Sequence, residues 1–72
     1  MKLLAIDTET GMTLKTYTVE KDDQTYHYVD FIDGNGKIID SELRTVEGYA
    51  VEIPDLFEEI QEFVDNNSRE EF

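Results

Sequence analysis

The sequence predicts an α+β domain in which an antiparallel sheet of four to five strands comes first and a single C-terminal helix covers one of its faces. Extended segments rich in threonine, tyrosine and valine occupy much of residues 2–53. Short polar turns separate them, and the strongest is Asp-Gly-Asn-Gly at 33–36. Consecutive strands joined by short turns pair antiparallel. A helical period of apolar residues occurs only near the C-terminus.

Five extended segments are predicted. The first is the apolar run at 2–7, and those at 12–20 and 25–32 are rich in β-branched and aromatic residues. The fourth, at 37–40, follows the Asp-Gly-Asn-Gly turn. The fifth, at 41–53, is expected to bend at Gly48, because a glycine inside a strand often marks a bend.

Residues 54–65 are predicted to form the helix. Pro54 suits the first helical position, where its missing N–H costs nothing, and Asp55 followed by Glu58 resembles a capping box. At about 100° per residue, the apolar side chains fall on one side and can seal a core. The other side holds only carboxylates, with no lysine or arginine among them: Asp55, Glu58, Glu59, Glu62 and Asp65.

The length limits the size of the core. A chain of 72 residues forms one domain, and such a domain buries only about 60% of its unfolded surface. We predict a single domain at 1–66, a flexible acidic tail at 67–72, and stabilisation by homodimerisation. The helix leaves one sheet face open, and we expect Tyr26 and Tyr28 to lie there. The homodimer is predicted to form through this face or through a sheet edge.

The charge balance departs far from that of an ordinary domain. Eighteen acidic and six basic side chains give a formal net charge of −12 at pH 7, which repels nucleic acid and anionic membranes. There is no cysteine, hence no disulfide framework and no thiolate metal site. The N-terminal apolar run is too short for a signal peptide or a membrane span. We expect a cytoplasmic protein that contacts neither nucleic acid nor membrane directly.

Residues 6–11, IDTETG, resemble the first motif of the DEDD-type 3′–5′ exonucleases. In that family the Asp and Glu of the motif, here Asp7 and Glu9, bind two metal ions for phosphodiester hydrolysis. A two-metal site needs more ligands than these two, and the further acidic motifs of the family do not follow. The alternative interpretation is a strand that ends in a polar turn at 8–11.

Residues 31–42 resemble a calcium-binding EF-hand loop from its third position onward. Asp33 and Glu42 match ligand positions, but Phe31 replaces the first carboxylate and the flanks read as strands. A glycine-rich hairpin turn is the alternative. His27, the only histidine, lies within a strand without a cysteine or serine arranged around it. We therefore predict neither catalysis nor a cofactor nor a metal.

In size, charge and lack of catalytic motifs, the chain resembles the small acidic DNA-mimic proteins of bacteriophages. That resemblance implies a non-enzymatic inhibitor that occupies the DNA-binding surface of a basic host protein. HU-type nucleoid proteins, CRISPR effectors, restriction enzymes and polymerase components are partners of this kind. The predicted partner-binding residues are the five helix carboxylates together with four acids in or near two turns: Asp22, Asp23, Asp30 and Asp33.

Two alternative functions remain open on the sequence alone. One is an acidic interaction module or adaptor that binds its partner through a hydrophobic sheet face, and the other is a metal-binding or exonuclease-like fragment. Salt distinguishes mimicry from the adaptor. Mimicry predicts binding that weakens steeply with ionic strength and is competed by DNA, whereas apolar binding depends little on salt.

Overall fold

The chain folds into a four-stranded antiparallel sheet followed by a helix, which confirms the predicted α+β class. The computed structural model describes residues 1–9 and 14–68. The strands lie side by side in their order along the chain. The elements are β1 (Lys2–Thr8), β2 (Leu14–Lys21), β3 (Gln24–Ile32), β4 (Ile38–Thr45) and α1 (Pro54–Ser68).

The fourth and fifth predicted segments form one strand and a returning loop rather than two strands. β4 continues through position 41, and the chain then reverses at Gly48, whose φ of +101° favours glycine. Ala50 forms an isolated bridge with Arg44, and the Val51 N–H donates to the Leu43 carbonyl at 2.9 Å. The loop therefore runs back along the outer edge of β4 before α1 begins.

The turn between β2 and β3 contains only two residues. Asp22 and Asp23 have φ values of 52° and 65°, as a type I′ turn requires, and the twist of this turn matches that of the flanking strands. Lys21 lies opposite Gln24, so the hairpin is paired up to the turn. The predicted polar turn at 21–24 is confirmed, and its two carboxylates lie at the tip of the hairpin.

The core lies between α1 and one face of the sheet, here called the covered face. The helix and three strands contribute six fully or almost fully buried side chains: Tyr17, Val19, Tyr28, Leu43, Ile60 and Val64. Leu56, Phe57 and Phe63 pack around them, which confirms the apolar side predicted for the helix. Burying one such aliphatic side chain is worth about 1.5–3 kcal/mol, so this cluster is the main source of stability.

The prediction that Tyr26 and Tyr28 lie on the other face, here called the open face, is wrong. Tyr28 is 0% exposed, and its ring centre lies 6.1 Å from that of Tyr17 and 5.6 Å from that of Phe57. Tyr26 is half-buried against the same cluster. Both sides of β3 carry large side chains, so periodicity does not show which side the helix covers. By the strand register, the open side of β3 carries other residues: His27, Val29 and Phe31.

The helix is longer than predicted. It continues to Ser68, and the side-chain amide of Asn67 donates to the Phe63 carbonyl at 2.8 Å. The predicted boundary between domain and tail at 66 therefore falls inside α1. The remainder of the predicted tail, 69–72, lies outside the described residues. So do positions 10 and 11 of the predicted turn at 8–11 and the first two residues of the strand predicted at 12–20.

Candidate acidic binding surface

Lys21 joins the β2–β3 turn to the helix. Its ammonium Nζ lies 2.8 Å from Asp22 Oδ2 and 3.5 Å from Glu59 Oε1. Asp22 belongs to the hairpin tip and Glu59 to the solvent side of α1, so two elements far apart in sequence meet around one cation. This contact sets the carboxylates of the turn beside those of the helix.

The helix carries the larger part of these carboxylates. Asp55, Glu58, Glu59 and Glu62 are all exposed, and each has a neighbour three or four positions away, where Cβ atoms stand about 5–6 Å apart. Within the described residues, no lysine or arginine lies within ion-pair distance of Glu58 or Glu62. We use the name acidic surface for the six exposed carboxylates of the hairpin tip and of the solvent side of α1: Asp22, Asp23, Asp55, Glu58, Glu59 and Glu62.

The Lys21–Asp22 contact favours the ionised form of both side chains. The hydrogen bond from the Lys21 ammonium lowers the pKa of the Asp22 carboxyl, and the Coulombic attraction of the same cation acts in the same direction. That bond is the largest cause of a raised pKa at Lys21; burial opposes it, and the nearby Asp22 and Glu59 charges act in the same direction as the bond. Both groups are therefore ionised at neutral pH, and Lys21 offsets one of the negative charges of the acidic surface.

Three predicted contact residues do not lie on this surface. Asp30 is 0% exposed and accepts a 2.8 Å hydrogen bond from the Ser41 hydroxyl. Its prediction as a partner contact is wrong, because position 30 follows Tyr28 on the covered face. Asp33 instead orders the β3–β4 loop by accepting from the backbone N–H groups of Asn35 and Lys37 at 2.8 and 3.0 Å. Asp65 is half-buried near the C-terminal end of α1.

The two motifs that resemble metal sites have ordinary structural settings. Asp7 lies within β1 and Glu9 just beyond it, both exposed, while positions 10 and 11 are outside the described residues. Asp33 lies in the hairpin connection between β3 and β4, and Glu42 lies within β4 opposite Val29, which confirms the turn interpretation. Across residues 1–9 and 14–68, no group of three or more acidic or histidine side chains is arranged to hold a metal ion.

His27 lies on the open face, opposite Thr18 on one side and Arg44 on the other. The Arg44 guanidinium contacts the Glu42 carboxylate through Nε at 3.0 Å and Nη2 at 2.6 Å. This pair lies along a single strand and is partly exposed, so it contributes little to stability. The part of the chain that the structure describes encloses no pocket.

Sequence reasoning missed the role of Lys21. The signal was present, because a lysine that immediately precedes two acids in a two-residue turn lies at the base of the hairpin. Its second partner, Glu59, is 38 positions away along the chain, and no local pattern links the two.

Comparison with protein-family models, with curated proteins and with solved structures finds no match to this chain. Among the described residues, the helix lacks the length and apolar character needed to cross a bilayer.

Proposed function

We propose that the protein is a non-enzymatic inhibitor that imitates nucleic acid and occupies the DNA-binding surface of a basic protein in the cytoplasm. The observation that carries this proposal is the contact of Lys21 with both Asp22 and Glu59. Through this contact one carboxylate of the hairpin tip and one of the helix lie beside the same cation, so a partner could contact acids of both elements together.

The charge arrangement on α1 supports a binding role. Acids at the helix start favour its dipole, but Glu62 lies beyond the first turn of α1 and gains nothing from it. Glu58 and Glu62 are also like charges four positions apart, which costs a few tenths of a kcal/mol. A helix selected for stability alone would carry lysine or arginine in its last turn, and this one has none.

The row of like charges supports a polyanion as the imitated ligand. The Cβ atoms of neighbouring helix acids stand about 5–6 Å apart, so the row is repetitive and single-signed, although it is less dense than the one charge per about 1.7 Å of axis that duplex DNA carries over both strands. A basic cleft that binds DNA by releasing counterions would gain from the acidic surface in the same way. Among such partners we favour a duplex-binding protein of the HU type.

Competition with DNA tests this proposal. We expect the protein to displace a labelled duplex from a purified HU-type protein, followed by fluorescence anisotropy. Its affinity for that protein should fall steeply as sodium chloride is raised, because binding replaces counterions. Reversing two charges, with Glu58→Lys and Glu62→Lys together, should abolish displacement. Both side chains are exposed, so the fold should persist, and circular dichroism checks this.

A matched variant controls for net charge. Glu9→Lys with Asp40→Lys changes the charge by the same amount, and both residues are exposed at the end of the sheet away from the β2–β3 turn. This control should still displace the duplex. Equal losses of duplex displacement in the two variants would show that net charge alone is responsible. An affinity that does not change with salt would rule out imitation of a polyanion.

The open face favours a second candidate function, an adaptor with an apolar binding site. Leu14 and Phe31 lie opposite each other on this face and are only half-buried, and no described helix covers them. A partner bound there would be insensitive to salt and to the helix variant. Phe31→Asp would separate the two functions, since it should abolish adaptor binding and leave DNA displacement unchanged.

A further inference from the structure

β1 is the most exposed element of the sheet. All of its residues except Leu3 are exposed, including Leu4 at 52% and Ile6 at 44%. Ile6 lies opposite Tyr17 and therefore belongs to the covered face, yet the helix does not bury it. α1 thus leaves the apolar residues of β1 other than Leu3 in contact with solvent.

The two edges of the sheet differ. The outer edge of β4 is partly occupied by the returning loop, through the Arg44–Ala50 bridge and the bond from Val51 to Leu43. Among the described residues, nothing pairs with the outer edge of β1. Such an edge presents unpaired N–H and C=O groups and is a template for another strand.

β1 carries no net charge, although the protein as a whole is strongly acidic. Its seven residues, KLLAIDT, carry one positive and one negative side chain, while the whole chain carries −12. Lys2 is at the start of the strand and Asp7 is near its end. Two copies can therefore approach each other along β1 with far less repulsion than along the acidic surface.

We propose that β1 pairs antiparallel with β1 of a second copy, in the register that sets Lys2 opposite Asp7 of the second copy. The same register sets Leu3 opposite Ile6 of the second copy. Because the arrangement is two-fold symmetric, each of these pairs forms twice. The sheet then continues through both copies as eight strands. This inference does not depend on the proposed function.

The faces of the side chains support this register. Leu3 lies opposite Val19 and Ile6 opposite Tyr17, both on the covered face, because the register between β1 and β2 shifts between Leu3 and Ala5, as at a β-bulge. Lys2 and Asp7 lie opposite Glu20 and Thr16, on the open face. Each proposed pair therefore joins residues of one face, as antiparallel pairing requires. A shift by one residue would set Leu3 opposite Asp7 of the second copy and mismatch the faces.

The pairing fixes where the two helices stand. Antiparallel partners share faces, so both copies of α1 lie on the same side of the extended sheet. α1 contacts Tyr28 of β3 through Phe57 and Gln61. The two helices are then separated by five strand spacings, or roughly 24 Å. The exposed Ile6 side chains lie between them.

Charge reversal tests the register. We expect the full chain to sediment as a dimer at moderate salt. Lys2→Glu sets two acids opposite each other and Asp7→Lys sets two lysines opposite each other. Each change should raise the dissociation constant about tenfold or more, because two symmetric pairs become repulsive. An equimolar mixture of the two variants restores opposite charges at both pairs and should form a mixed dimer.

Two control variants change the charge by the same amount as the β1 variants, and they distinguish an effect at the β1 edge from an effect of net charge. Lys37→Glu and Glu47→Lys alter exposed residues outside β1, and both variants should remain dimeric. Circular dichroism shows whether each variant is folded. The proposal is overturned by a wild-type chain that stays monomeric, by a dimer that resists both β1 substitutions, or by a mixture that fails to associate. None of these results depends on DNA displacement, so the proposed function is judged separately.

Discussion

The side-chain amide of Gln61 donates a 3.0 Å hydrogen bond to the hydroxyl of Tyr28. The bond joins the middle of α1 to the central part of β3 and gives a polar partner to a tyrosine that is 0% exposed. A buried tyrosine hydroxyl without such a partner would be costly. The contact therefore helps to define how the helix sits on the sheet.

Removal of this hydroxyl should weaken the fold moderately. Tyr28→Phe keeps the ring contacts with Tyr17 and Phe57 and loses the bond to Gln61, so we expect a cost of about 1 kcal/mol. Urea unfolding measures it. In a double-mutant cycle, Gln61→Ala should cost little once Tyr28 is phenylalanine. Additive effects of the two substitutions would show that the bond contributes nothing.

Truncation of the helix side of the core should be far more damaging. Ile60 is 0% exposed, and Ile60→Ala leaves a cavity and removes buried apolar surface, with an expected cost of about 2–5 kcal/mol. Since a domain of this kind has a total stability of about 5–15 kcal/mol, thermal unfolding should shift by many degrees. Ile39→Ala is the control, because Ile39 is 64% exposed and should change stability by less than about 0.5 kcal/mol.

Salt should stabilise the protein. With a formal net charge of −12, the folded chain repels itself, and raising the ionic strength from about 0.01 M to 0.15 M shortens the screening length from about 30 Å to about 8 Å. We expect the melting temperature in sodium chloride to rise by several degrees. Chloride is preferred to sulfate, which also stabilises proteins by exclusion from their surface. An unchanged or lower melting temperature would contradict a folded acidic surface.

The Lys21–Asp22 contact should give a measurable dependence on pH. The pKa of Asp22 is lowered in the folded protein by the hydrogen bond from Lys21. Its contribution to stability is therefore present above the unfolded pKa of an aspartate and is lost as the pH falls through the lower folded value. The pKa of Lys21 is raised by the same bond, so its contribution is lost only as the pH rises through that folded value.

Lys21→Met should abolish both effects. The pKa of Asp22, followed by carboxyl carbon NMR, should move upward in the variant. The stability difference between wild type and variant should be largest near neutral pH and should shrink in acid and in strong alkali. An Asp22 carboxyl that titrates at the same pH in both proteins would show that the bond does not form in solution.

Local sequence patterns predicted most of the fold. The helix was predictable because its apolar period and its proline start are both contained within residues 54–65, and the hairpin at 21–24 because acids tolerate the left-handed backbone of a tight turn. The prediction divided β4 between Asp40 and Ser41. In the structure the Ser41 hydroxyl donates to Asp30 on the neighbouring strand, a partner eleven positions away along the chain.

The site was predictable only in part. The exposed acids of α1 follow from the helical period, but the burial of Asp30 and Tyr28 depends on which sheet face the helix covers. That choice is made by packing among β2, β3, β4 and α1, and alternation along β3 alone supports either outcome. The contact of Lys21 with Glu59 was not predictable either, because it forms only when the β2–β3 hairpin packs beside α1.

At the tip of the β2–β3 hairpin, the residues that give surface charge are not the ones that would give the greatest thermal stability. Asp22 and Asp23 hold positive φ angles without being glycine, a conformation that Asn-Gly adopts more readily. Exchanging the two residues for Asn-Gly should therefore stabilise the hairpin. It would also delete both carboxylates at the tip and leave Lys21 with Glu59 alone. Selection for thermal stability alone would therefore remove negative charge from the end of the molecule where the β2–β3 turn meets α1.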